Sequence, residues 1–146
     1  MKLSHRQLGQ GKPLVILHGL FGSSDNWLTH AKKLAEYYEV TLVDLRNHGH
    51  SPWSAEFSYP LMVQDLQGLL LELQIHRPIL LGHSMGGKLA MHYDQAHPDS
   101  LEKLIKKMYL IVDGIMCQPY WLSMSFLLPV LICYSFGMYV VVYAHE

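Results

Sequence analysis

From Gly114 to Ala144 the sequence has no acidic, basic or histidine side chain, and no lysine or arginine follows Lys107. This absence divides the chain into a mixed segment, 1–113, and an uncharged apolar tail, 114–146. Cysteine is also scarce. Cys117 and Cys133 are the only two, their spacing matches no metal or redox motif, and they read as reduced core residues outside any disulfide framework. The 11 basic residues among 146 leave a formal charge of −1, and nothing overall suggests a nucleic-acid footprint, which would show as clustered Lys and Arg with a high pI. The opening stretch, MKLSHRQLGQGKP, lacks the apolar core of a secretory signal, so the expected location is cytoplasmic. No repeat or low-complexity segment precedes the tail. The length suits one domain with a core of its own.

The mixed segment alternates strand and helix signals. A weak alternating strand spans Leu3 to Leu8, and GQGKP reads as a turn. LVIL at 14–17, VTLVDL at 40–45, PILLG at 78–82 and MYLIV at 108–112 are short apolar runs suited to strands buried on both faces. Between them lie helical stripes. Trp27, Ala31, Leu34, Ala35 and Tyr38 make the first, with Asp25 or Asn26 as its expected cap. Met62, Leu66, Leu69, Leu70 and Leu73 make the second, with Pro60 in its first turn and Gly68 as a weak point. Leu89, Tyr93 and Ala96 make the third, which ends before Pro98. The expected class is α/β, with a mostly parallel sheet and helices on both faces.

Chemistry in open sheets of this kind gathers beyond the C-terminal ends of the strands. GHSMG, Gly82 to Gly86, stands at such a place and has the form G-x-S-x-G. A sharp strand-to-helix turn holds its serine in a strained conformation and exposes the hydroxyl, while the flanking glycines remove side chains that would collide. Ser84 is therefore the expected nucleophile, and the N–H of Met85 at the helix start is an expected oxyanion donor. LHGLFG, Leu17 to Gly22, follows the first buried strand and offers a second backbone donor from Leu20 or Phe21. DLRNHGHS, 44–51, is a polar loop at the same edge, where Arg46 and Asn47 are expected to organise the loop rather than touch substrate.

VILHGLFGSSDNW, VDLRNHGHS and LLGHSMGGKLAM together resemble the α/β-hydrolase superfamily. Within it they are most similar to small bacterial esterases that act on acyl esters and acyl-CoA thioesters, and to their mitochondrial relatives. The resemblance runs from about residue 1 to 105 and covers roughly the first half of such a protein. It implies a partial α/β-hydrolase fold and hydrolysis of a small acyl ester or thioester through an acyl-enzyme, with no cofactor. Most dehalogenases and epoxide hydrolases of the superfamily need an aspartate at the position of Ser84, which disfavours them.

A serine hydroxyl needs a base oriented by a carboxylate, and in this superfamily the chain order is Ser, acid, His. Asp113, at the end of LIVD, is the expected acid. In the resembling esterases the acid lies in a similar stretch soon after the nucleophile helix, whereas here about five extra residues intervene. The base is the gap. Only His145 follows Asp113, after a run with nothing to carry it back, and it is not expected to serve. His48 and His50 lie at the right edge but precede the serine. His18 and His83 read as structural neighbours of the motifs, and HGH offers no third ligand for a metal.

The tail leaves three readings open. The favoured one is a truncated or frame-altered C-terminus. Tyr120 to Tyr143 also exceeds the roughly 20 residues of a membrane-spanning helix, although no basic residues flank it, and a buried soluble element is the third. The expected function is thus a serine hydrolase lacking its histidine. The alternative is a catalytically inactive fragment or a membrane-tethered, non-enzymatic module.

Overall fold

A computed structural model describes residues 1–109 and 138–144. Asp113, Cys117, Cys133, the 120–137 part of the apolar tail and His145 lie outside the described residues. The elements in chain order are β1 (His5–Leu8), β2 (Lys12–Leu17), a 3-10 turn (Ser24–Trp27), α1 (Leu28–Leu34) and β3 (Tyr38–Val43). They continue with α2 (Tyr59–Glu72), β4 (Ile79–His83), α3 (Met85–Ala96), β5 (Lys103–Tyr109) and β6 (Met138–Ala144).

Among the described residues the strands form one sheet in the order β1-β3-β2-β4-β5-β6. β2, β3, β4 and β5 run parallel, with antiparallel β1 and β6 outside them. The chain passes from β2 outward to β3, then crosses back to β4 on the other side of β2. The direction of winding therefore reverses between β2 and β4, where an open α/β sheet leaves a crevice at the strand ends.

Strand side chains alternate between the two faces. Val15, Leu17, Val43, Leu80 and Leu104 pack with α2 and α3 in one cluster. Leu14, Ile16, Val40, Leu42 and Ile79 pack with Ala31 of α1 in the other. Each fully buried Leu or Val contributes about 1.5–3 kcal/mol, so the apolar runs in the sequence become the centre of a three-layer structure.

Several boundaries differ from the sequence expectation for identifiable reasons. Asn26 Oδ1 accepts the Ser23 N–H at 2.7 Å, so Ser23 caps the 3-10 turn, and Trp27 stands at the N-cap of α1 without a side-chain bond. Asp25 instead pairs with Arg6 at 2.7 Å. Tyr38 opens β3 opposite Lys12 rather than closing a helix. In α3, Ala90 is buried and Ala96 is exposed. The fourth parallel strand starts at Lys103, five residues before the expected MYLIV run, with Leu104 and Ile105 facing the two clusters. Its register sets Lys107 beside His83. In the tail, 138–143 belongs to a strand paired with β5 and is not helical. Among the described residues no helix is long and apolar enough to cross a membrane.

Candidate active site

Ser84 stands between β4 and α3 with φ +50 and ψ −112. A side-chain-bearing residue in that region costs about 1–3 kcal/mol unless its surroundings enforce it. The enforcement here is close packing. A Cβ on Gly82 would fall 2.5 Å from the Gly86 carbonyl oxygen, and one on Gly86 would run into the carbonyl oxygens of Leu17 and His18. Only glycine lets α3 come this close to β2. The Ser84 carbonyl accepts the Lys88 N–H at 3.0 Å, starting the helix. The amides of Met85, Gly86 and Gly87 therefore lie in the first turn, at the positive end of the helix dipole.

A second turn borders Ser84. The Gly22 N–H donates to the Gly19 carbonyl at 3.0 Å, closing a turn with Leu20 and Phe21 at its centre. Phe21 has φ +61, a conformation that usually selects glycine, and its side chain is 94% exposed. A Cβ built on Gly19 would stand 3.4 Å from the Ser84 Cβ, which shows how near the turn lies to the serine. Beside it opens a cleft of about 330 Å³ lined by the Gly19–Gly22 turn, His18, Asn26, Trp27, His30 and His83.

The neighbouring β3–α2 loop is fixed by polar contacts. Arg46 donates to Asp65 from Nε at 2.7 Å and from Nη2 at 3.0 Å, and to the Glu56 carbonyl at 2.8 Å. Asn47 bridges both ways to Ser54, at 2.9 and 2.8 Å. Both residues thus organise the loop, as expected. Burial alone would raise the Asp65 pKa, but the Arg46 hydrogen bonds and the N-terminal ammonium outweigh it and hold the carboxyl below its ordinary range. Asp44 behaves similarly. Burial pushes its pKa up, and the N–H donors of His50 and Ser24 bring it below the ordinary value. The Gly49 backbone lies so close to the Asp44 carboxylate that no Cβ fits, and its φ is +54.

His18 is 1% exposed, and burial keeps its pKa below the ordinary histidine value. Its Nε2 accepts the Leu45 N–H at 3.0 Å, so the Nδ1 atom carries the proton and donates to the Gly19 carbonyl at 2.8 Å. This is the structural role expected for it. His48 commits Nδ1 to the Arg46 carbonyl at 2.7 Å, and its ring lies 5.1 Å from that of His18. The backbone N–H of His50 serves Asp44.

Of the expected site residues, the structure gathers Ser84, Met85, Leu20 and Phe21 at one sheet edge, while Asp113 is not among the described residues. Sequence reasoning did not single out Asp65 or Asp44. The signal for Asp65 was a carboxylate on the buried stripe of α2, between Met62 and Leu69. For Asp44 it was a charge closing an otherwise apolar strand.

A family model described as alpha/beta hydrolase fold matches residues 12–122. The mouse sn-1-specific diacylglycerol lipase ABHD11 is 49% identical over 94 residues, covering 63% of this chain and 31% of its own length. Esterase YbfF of Escherichia coli is 43% identical over 93 residues, covering 64% and 37%. A solved esterase from a marine microorganism superposes with a TM-score of 0.69 at 46% identity, covering 70% of this chain and 40% of its own. The chain spans about a third of the length of the curated relatives it matches. With the family model spanning most of the sequence, the chain belongs to the alpha/beta hydrolase fold family.

Proposed function

We propose that the chain carries the nucleophile and oxyanion donors of a serine hydrolase acting on small carboxylic esters or acyl thioesters. The observation that supports this reading most is Ser84 itself, held at φ +50 between a buried strand and a helix start. In this reading Ser84 Oγ attacks the acyl carbonyl and yields its proton to a base. The oxyanion is received by the Met85 N–H and by the N–H of Leu20 or Phe21. Collapse expels the alcohol or thiol and leaves an acyl-serine, which water then hydrolyses. Asp113 is the acid that would orient the base. The resemblance of the chain to proteins named esterase and lipase supports the substrate class.

A second reading, a nucleophile-bearing scaffold without turnover, draws on one fact: the chain spans about a third of the length of the curated relatives it matches. One experiment addresses both. A fluorophosphonate probe is expected to label the wild-type chain and not Ser84→Ala. Equal labelling of the two overturns the nucleophile assignment. Labelling accompanied by hydrolysis of short acyl esters supports the first reading, and labelling without hydrolysis supports the second.

A further inference from the structure

Two polar contacts tie the Gly19–Gly22 turn to the β3 loop, and they run in opposite directions. From the side of the turn, His18 accepts the Leu45 N–H at 3.0 Å. From the side of the β3 loop, Asp44 accepts the Ser24 N–H at 2.6 Å. Residues 44 and 45 are adjacent, while 18 and 24 bracket the turn at its start and its end. The other nitrogen of His18 grips the Gly19 carbonyl at 2.8 Å, the same carbonyl that closes the turn by accepting the Gly22 N–H. One imidazole therefore spans the turn and the loop. Asp44 is in turn anchored by the His50 N–H at 3.0 Å, and its backbone carbonyl by Ser51 Oγ at 2.5 Å. His18, Ser24 and Asp44 are all at most 2% exposed.

We propose that His18 and Asp44 form a reciprocal clasp that positions the Gly19–Gly22 turn beside Ser84, and that protonation of His18 opens it. The proposal rests on the reading of Leu20 or Phe21 as an oxyanion donor. Both residues act through backbone and are positioning residues. The chemistry of the switch is simple. A neutral imidazole presents one donor and one acceptor, and both are in use. The imidazolium has two donors, so its Nε2–H would face the Leu45 N–H with no acceptor between them. Among the described residues the charged or titratable groups facing His18 are Asp44 and His48 of the β3 loop and His83 of β4. The two histidines oppose the cation and Asp44 favours it. Burial is the larger influence and keeps the ring neutral near neutral pH.

The test uses the full chain, labelled with ¹⁵N and titrated from about pH 7.5 to about pH 5, the range in which histidines change charge. The His18 ring nitrogens and the Leu45 amide are expected to move with one midpoint, and the amides of Leu20, Phe21 and Gly22 to move with them. Turn amides that stay still while His18 titrates would overturn the proposal. Asp44→Ala is expected to shift the turn amides, and Asp44→Asn to shift them less, because its single amide oxygen can still accept the Ser24 N–H while its NH2 faces the His50 N–H. Turn amides that stay in place in Asp44→Ala count against the clasp. Should Asp44→Ala not fold, the wild-type titration decides alone. In the probe assay, Ser84 labelling is expected to fall about tenfold or more across the His18 midpoint, as misplacement of a donor predicts, and His18→Gln to flatten that profile. Labelling that follows no His18 midpoint overturns the link to Ser84. Absence of Ser84-dependent labelling at every pH, with the amide coupling intact, overturns the proposed function and leaves the clasp standing.

Discussion

The β4–α3 turn and the β2–α1 loop face each other across one sheet edge, yet they are held by different physics. The turn at Ser84 is held by the absence of side chains: Gly82 and Gly86 let backbone touch backbone. The Gly19–Gly22 turn is held by side chains, His18 and Asp44, reaching across to another loop. In the first arrangement the holding contact is backbone against backbone, although His83 stands between the two glycines. The second depends on the protonation of one imidazole and one carboxylate. Rigid geometry at an edge can thus be built sterically or by hydrogen bonds, and only the second kind can be undone by a proton.

The sharpest way to break this contrast is on the steric side. Gly86→Val drives a branched side chain into the Leu17 and His18 carbonyls. A loss above about 4 kcal/mol is expected, seen as the disappearance of the cooperative urea transition at neutral pH. On the polar side, Asp65→Ala strands a buried guanidinium and is expected to cost about 3–5 kcal/mol. The double replacement Arg46→Met, Asp65→Leu is expected to cost less than the single one, because the guanidinium leaves with its partner and only the partly exposed N-terminal ammonium loses Asp65. Denaturant midpoints of the two variants decide this.

A smaller effect comes from pH. The folded pKa of His18 lies below 6.5, so as acid is added the unfolded chain takes up the proton first. His18 carries no penalty above pH 6.5, and stability falls as pH drops from 6.5 through its lower folded value. The slope from this group is at most about 1.4 kcal/mol per pH unit. Asp44 and Asp65 lie below 3.8 in the folded state, so their contribution is present above 3.8 and is lost only as pH falls through those lower values. Melting temperatures of wild type and His18→Gln between pH 7 and pH 4 are expected to differ in the histidine window and to run parallel below it. The smallest effect is a gain. Gly68 is exposed in the middle of α2, and a Cβ there meets nothing within 4 Å. Gly68→Ala is expected to stabilise by about 0.5–1 kcal/mol, measurable as a rise in melting temperature.

Much of this architecture was legible in the sequence, because apolar runs such as LVIL and helical stripes such as Met62–Leu66–Leu69 report burial directly. The turn at Ser84 was legible for another reason: two glycines around one serine encode a steric demand that few other structures make. The clasp was not legible. His18 and Ser24 are separated from Asp44 and Leu45 by 20 or more positions, and nothing local marks a side chain that will bond to a distant backbone amide. The start of the fourth parallel strand was missed because its lysines disguised it. KLIKKMY needs only Leu104 and Ile105 to satisfy two faces, whereas MYLIV looked the better strand by composition.

β6 runs against its neighbour, and this decides where the polypeptide is delivered. Its last residue, Ala144, sits level with Lys103, which sits level with Ile79 at the start of β4. Five residues of extended backbone, roughly 16 Å, separate that level from Ser84. Among the described residues the last strand thus ends at the floor of the sheet, level with the start of β4.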